Sequence, residues 1–254
     1  MNEISNLYID LLKKALIDYI DLNNDGNHDK IEGKGLWPTD NSKTMIGLVG
    51  LNNLEYCINI IIKDNIDGDF LEAGVWRGGA SIFMKALSTI FNTNKKIFVA
   101  DSFDGFPKES NHDNINFWQN VDDKIKVSLE TVKDNFTKYN LLDDNVIFLK
   151  GFFKDTLYTD EIKKLSLLRL DGDLYSSTMD TLDSLYPKLE DGGFVIIDDY
   201  NALDCAKSAV HDYRIRNNIT EKIIMVGWSC AYWRKGEGRK FRTFEKRMMK
   251  NDKR

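Results

Sequence analysis

From Asp69 to Trp233, short apolar runs alternate with longer amphipathic segments, a pattern that few folds accommodate. Strands are expected at Phe70–Ala73, Ile97–Ala100, Val146–Leu149, Leu165–Leu170, Phe194–Ile197, Ile223–Val226 and Cys230–Trp233. Helices are expected between most of them, at Ala80–Phe91, Asp122–Tyr139, Thr156–Lys163, Ser176–Leu189 and Cys205–Asn217. Strands alternating with helices build a mainly parallel sheet covered on both faces. Only Gly227, Trp228 and Ser229 separate the last two strands. A parallel crossover needs a dozen or more residues, so that pair must be antiparallel. The expected architecture is α/β: a Rossmann-like seven-stranded sheet, mainly parallel, ending in an antiparallel hairpin.

Two helices should precede the sheet. Ser5 to Ile20 carries Leu7, Leu11, Leu12, Ala15, Leu16 and Ile20 near helical spacing, with Ser5 as its cap. Thr44 to Ile62 carries Met45, Leu48, Leu51, Leu54, Ile58 and Ile61 on one stripe. A length of 254 residues suits one sizeable domain with a small appendage. The expected division is a helical cap over 1–68, the sheet domain over 69–235 and a basic tail over 236–254.

Composition narrows the partners. The net charge of -5 gives no reason to expect nucleic acid. The basic stretch from Arg234 to Arg254 reads as a solvated chain end. Cys57, Cys205 and Cys230 show no C-x-x-C spacing, which argues against a disulfide framework or a zinc site. Met1 to Asp10 lacks a basic segment followed by an apolar one, and no apolar run approaches the roughly 20 residues that span a bilayer. A cytoplasmic location is expected. The abundance of Asn, Lys and Ile suggests an AT-rich genome.

The chemistry gathers at strand ends. Leu167, Leu168 and Leu170 lead into Asp171, and Phe194 to Ile197 lead into Asp198 and Asp199. Ligands of open α/β sheets sit outside the carboxyl ends of the strands, so these acids can converge. Hard carboxylates at one point suit a divalent cation such as Mg²⁺. Asp173 and Asp199 could instead simply cap helices. The first strand runs into Glu72-Ala-Gly-Val-Trp-Arg-Gly-Gly79, whose glycines allow a ligand close to the backbone. The spacing is not G-x-G-x-x-G, and Glu72 disfavours a phosphate. An acid there favours a cationic cofactor such as S-adenosylmethionine, and Asp101, ending the second strand, suits the hydroxyls of its ribose. His28, His112 and His211 are scattered and suggest no triad.

One motif competes. Asp21 to Glu32 fits a calcium-binding EF-hand loop formally, and on that reading the chain is a non-enzymatic Ca²⁺ module. Gly33, Gly35 and Pro38 disfavour the exiting helix such a loop needs, which favours an ordinary surface loop.

The assembled segments resemble one family. Thr44-Met-Ile-Gly47, Glu72–Gly79, Ala100-Asp-Ser-Phe-Asp-Gly-Phe-Pro107, Lys150-Gly-Phe-Phe-Lys-Asp-Thr-Leu157, Leu170-Asp-Gly-Asp-Leu-Tyr175 and Ile197-Asp-Asp-Tyr200 look like the macrocin O-methyltransferases, which include the mycinamicin and novobiocin sugar O-methyltransferases. The match covers about Leu7 to Trp233. The resemblance implies S-adenosylmethionine, a divalent metal, usually Mg²⁺, and methylation of a sugar hydroxyl. It assigns Asp171, Asp198 and Asp199 to the metal, with Asp171 also as general base. It places Glu72, Ala73, Gly74, Val75, Trp76, Ser81, Asp101, Ser102, Phe103, Asp104 and Gly105 along the cofactor. Thr44 and Met45 would close over it, with Phe152 near the adenine. A homodimer is expected. The acceptor is expected to be a nucleotide-activated sugar for a surface polysaccharide or a glycosylated natural product, with a catechol-like diol as the alternative.

Overall fold

A computed structural model describes residues 2–19, 39–108, 111–113 and 125–237. The sheet has the order β3-β2-β1-β4-β5-β7-β6. Its strands are β1 (Asp69–Ala73), β2 (Ile97–Asp101), β3 (Val146–Lys150), β4 (Leu165–Leu170), β5 (Leu189–Ile197), β6 (Ile224–Val226) and β7 (Cys230–Arg234). The first five run parallel, and β7 pairs antiparallel with both β5 and β6. The expected seven-stranded architecture is present. The chain order reverses between β1 and β4, and a ligand crevice opens at such a switch point.

Seven α-helices are described: α1 (Glu3–Leu16), α2 (Gly47–Lys63), α3 (Gly79–Ile90), α4 (Leu129–Lys138), α5 (Phe153–Thr156), α6 (Tyr175–Leu185) and α7 (Asp204–Arg216). Apolar side chains fill one cluster on each sheet face. The first joins Ile9, Leu12 and Leu16 of α1 and Leu51, Leu54 and Ile58 of α2 to Phe83 and the strands. The second joins Leu71, Leu168 and Val195 to Leu182, Leu185 and Val210.

Five local expectations change. Helix α1 is capped by Asn2, whose Oδ1 accepts from the Ser5 backbone at 2.8 Å, and not by Ser5. Its expected stripe splits: Leu12 and Leu16 are buried with Ile9, whereas Leu7 and Leu11 face outward. The helix expected at 156–163 is a single turn at Phe153–Thr156, after which the Thr159 hydroxyl accepts from the Glu161 backbone, a turn that competes with helix. Helix α4 starts at Leu129 because Ser128 caps it, accepting from Thr131. Helix α6 tightens into a 3₁₀ turn at Tyr186–Lys188, where Pro187 has no amide to donate. The Asp21–Glu32 loop and most of the basic tail lie outside the described residues.

Candidate active site

The carboxyl ends of β1 and β4 are adjacent, with Ala73 registered against Leu170. Beyond them the chains remain bonded: the Asp171 amide donates to the Ala73 carbonyl and the Gly74 amide to the Ala100 carbonyl, both at 2.8 Å. Gly74 has φ +89°, and a Cβ there would lie 1.8 Å from the Asp171 carbonyl oxygen. The glycine was expected to admit a ligand. It lines the cleft, but what its missing side chain admits is the backbone that carries Asp171.

A cleft of 370 Å³ opens over this crossing. On one side stand Met45, Gly74, Val75, Trp76, Asp101, Ser102, Gly105 and Phe152, all expected at the cofactor. Asp101 binds two turns at once, its Oδ2 accepting from the Val75 amide and its Oδ1 from the Phe103 amide, each at 2.8 Å. Burial raises its pKa, and these amide bonds oppose the rise. Thr44, Glu72, Ala73, Ser81, Phe103 and Asp104 stand behind or beside the lining. Glu72 and Ser81 are buried, and Ser81 donates to Glu72. Phe103 packs against Phe148, and exposed Asp104 pairs with Lys126.

Residues 39–46 form a strap beside the cleft. The Arg77 guanidinium donates to three backbone carbonyls of this strap, those of Thr39, Asp40 and Ser42, at 2.9, 3.0 and 2.9 Å. Gly79 donates to the Lys43 carbonyl at 2.8 Å, and a Cβ there would lie 2.5 Å from Lys43. The strap carries Met45 to the cleft wall. Charged hydrogen bonds contribute about 1.5–3 kcal/mol each. Arg77→Ala should therefore raise the cofactor KM by about tenfold while kcat stays within about twofold. Steady-state kinetics would show this, and an unchanged cofactor KM would remove the strap from cofactor binding.

The acids occupy the other side. Arg169, only 2% exposed, lies inside the apolar run of β4. Its Nη1 donates to Glu72 at 2.7 Å and to Asp171 at 2.8 Å, and its Nη2 donates to Asp198 at 2.5 Å. Burial alone would lower its pKa, but the carboxylates of Asp198, Asp171 and Glu72 outweigh burial and raise it. Burial lifts Glu72 to about 7 against the pull of Arg169 and Ser81. Asp198 and Asp199 are raised well above the usual carboxylate range, first by burial and then by neighbouring acids.

Asp173 has φ +59° and turns its carboxylate into the same group. Oxygens of Asp171, Asp173 and Asp199 lie within 4.8 Å of one another. Burial lifts Asp173 to about 7 beside the Asp199 carboxyl, whose Oδ2 is buried with no hydrogen-bond partner. Five carboxylates thus gather here, and one guanidinium bonds to three of them. That excess of hard oxygen donors, with a buried lone pair unsatisfied, fits a divalent cation. Asp198, expected at the metal, binds Arg169, and the tightest geometric group contains Asp173 in its place.

Two residues here escaped the sequence reading. Arg169 left a signal: a charge within a continuous buried strand requires a partner. Asp173 was read as a cap, yet Leu174 holds the cap position of α6. On the open wall, Lys108, Lys154 and Asp180 also line the cleft.

Residues 5–235 match the macrocin-O-methyltransferase (TylF) family. The 8-demethyl-8-(2,3-dimethoxy-alpha-L-rhamnosyl)-tetracenomycin-C 4'-O-methyltransferase of Streptomyces olivaceus is 43% identical over 244 residues, 90% of this chain and 92% of the relative. The mycinamicin III 3''-O-methyltransferase of Micromonospora griseorubida is 40% identical, covering 90% of this chain and 96% of the relative. The solved structure of the O-methyltransferase NovP superposes with a TM-score of 0.85 at 39% identity, covering 91% of this chain and 99% of that one.

Proposed function

Since the chain belongs to the macrocin O-methyltransferase family and is an S-adenosylmethionine-dependent O-methyltransferase, we propose that it methylates a sugar hydroxyl with the help of a divalent cation, Mg²⁺ in the first instance. The observation that carries the reading is the meeting of a 370 Å³ cleft with an under-neutralised group of aspartates at one strand crossing. A rhamnosyl group stands in the name of one relative, which supports a sugar acceptor.

When bound, S-adenosylmethionine supplies an electrophilic methyl on sulfonium, and the cation lowers the pKa of a bound hydroxyl. The residues do the rest. Asp101 and the amides it organises hold the ribose edge, and Met45 and Phe152 wall the cleft. By the family resemblance Asp171, Asp198 and Asp199 would hold the cation, Asp171 and Asp198 with the oxygens that Arg169 leaves free, and Asp173 stands beside them. Arg169 orients two of those three and keeps the buried acids from repelling one another.

The family resemblance gives Asp171 both the metal and the proton. The geometry supports dividing these roles. Asp171 and Asp173 both reach the cleft, but Asp171 is already engaged by Arg169. Asp173 makes no ion pair among the described residues, and its side chain lies against Asp199. Asp173 accepts the hydroxyl proton as the new C–O bond forms and the C–S bond breaks. In-line placement contributes most of the acceleration.

The test is a methyl-transfer screen with labelled cofactor over glycosides, nucleotide sugars and catechols, with and without chelator. Lys108 and Lys154 on the open wall are the reason to include phosphate-bearing acceptors. Sugar acceptors should be methylated, and chelation should remove at least nine-tenths of the rate, restored by Mg²⁺. Preference for catechols would overturn the sugar reading, and chelator resistance would overturn the cation.

A further inference from the structure

Asp173 sits in a strained turn. Its φ is +59°, and the Leu174 amide donates to the Gly172 carbonyl at 2.6 Å, which closes a three-residue turn around it. A turn of this kind with a positive central φ is rare and strained, and it persists only where the surroundings hold it. Two distant parts of the chain do so. The Cys205 thiol, from the first turn of α7, donates to the Asp173 carbonyl at 3.3 Å. The Tyr175 amide, two residues on, donates to Oδ1 of Asp113 at 2.8 Å.

That second hold replaces a missing local one. Leu174 occupies the cap position of α6 and its side chain is buried without an oxygen to offer, so the first amides of the helix need an acceptor from elsewhere. Asp113 supplies it from 62 positions away in the chain, itself only 9% exposed. Its carboxylate also meets the positive end of the helix. The neighbouring His112 lays its ring on that of Tyr175, with 4.2 Å between centroids and 16° between planes. The Tyr175 hydroxyl donates to Asp212 of α7 at 2.8 Å. Tyr175 is thus fixed at its backbone, its ring and its hydroxyl.

We propose that Asp113 is a positioning residue for the proton acceptor, holding the turn in the form that aims the Asp173 carboxylate into the acid group and the cleft. This rests on the reading of Asp173 as that acceptor. Without the cap the turn can relax to an ordinary backbone, which carries the carboxylate elsewhere. The origin of the cap matters too. Ser102, Gly105 and Lys108 line the cleft just upstream of it, so one stretch of chain borders the cofactor and grips the turn that bears the base.

The kinetic acceptor is the glycoside or nucleotide sugar methylated fastest in the methyl-transfer screen. Asp113→Ala should lower kcat by about 10- to 100-fold, the cost of an ångström-scale misplacement, with cofactor KM within about threefold of the parent. Asp113→Asn still offers an oxygen to Tyr175 and should keep at least about half of the parental kcat. Added to Asp173→Asn, Asp113→Ala should cost less than about twofold more, because it acts through the residue already removed. A crystal structure of Asp113→Ala, which needs no acceptor, should show Asp173 out of the left-handed region and its carboxylate away from Asp199. Should Asp113→Ala not fold, His112→Ala serves in its place: its ring is exposed, and its loss should lower kcat by about threefold, the worth of one aromatic stack. Parental kcat in these alanine variants, an Asp173 that keeps its place in the crystal, or an Asp113→Asn as slow as Asp113→Ala overturns the inference. An active Asp173→Asn overturns instead the proton reading on which it rests.

Discussion

Asp173→Asn is expected to bind cofactor and Mg²⁺ like the parent yet to lose between about 10² and 10⁴ of its turnover, the range a positioned proton acceptor contributes. Asp171→Asn should lose at least as much, about 10³-fold or 4 kcal/mol of barrier, and should lose Mg²⁺ binding too. The two variants separate the roles that the family resemblance assigns to one residue. Isothermal calorimetry with Mg²⁺, alongside single-turnover kinetics, reads both properties. In each variant the cofactor KM should stay within about threefold, since Asp101 and the Gly74 turn are untouched. If Asp173→Asn keeps more than a tenth of the parental rate, the proton acceptor is not Asp173. If Asp171→Asn retains Mg²⁺ binding but no turnover, the proton role returns to Asp171 and its role at the cation falls.

Arg169→Met carries the largest expected effect on stability. The guanidinium is buried and serves Glu72, Asp171 and Asp198 together. Removing one partner of a buried ion pair costs about 3–5 kcal/mol, because the remaining charges are stranded. Urea unfolding should show a loss of that order. The pH dependence has a definite sign. Glu72 is raised by burial to about 7 even with the arginine present. A carboxyl raised in the folded state penalises folding once ionised, so the penalty is complete above the folded pKa and vanishes below the unfolded one. The deficit of Arg169→Met should therefore be greatest above pH 7 and shrink towards pH 5, at roughly 1.4 kcal/mol per proton per pH unit at most. Adding Glu72→Gln should recover part of it, a coupling that a double-mutant cycle would measure. A variant within about 1 kcal/mol of the parent at pH 8 would show that the acids do not depend on the arginine.

The sheet was legible because apolar runs bounded by glycine and acid leave little doubt about strand ends, and strand ends locate the crevice. The placing of Asp101, Asp171, Asp198 and Asp199 at the carboxyl ends of strands was legible for the same reason. What approaches Gly74 was not, since a missing side chain signals crowding without naming the neighbour. Asp173 was hidden by its left-handed backbone, which turns it towards Asp199 where a regular helix entry would turn it out. Leu7 and Leu11 illustrate the limit of periodicity. Spacing groups residues on a helix face, but it cannot tell whether the face meets this chain's own core or an outside surface. The failed helix at 156–163 turned on a single local bond from Thr159, which competes on equal terms with a short helix.

The bond between the ends of β1 and β4 also bears on how such an enzyme can change. Gly74 and Asp171 form one welded joint, so the donor turn and the acid group keep their relative position whatever happens outside it. The open wall with Lys108, Lys154 and Asp180 has no part in that joint. A lineage can redraw the wall for a new acceptor while inheriting the reaction intact, and diversity of substrates at constancy of chemistry follows from one glycine.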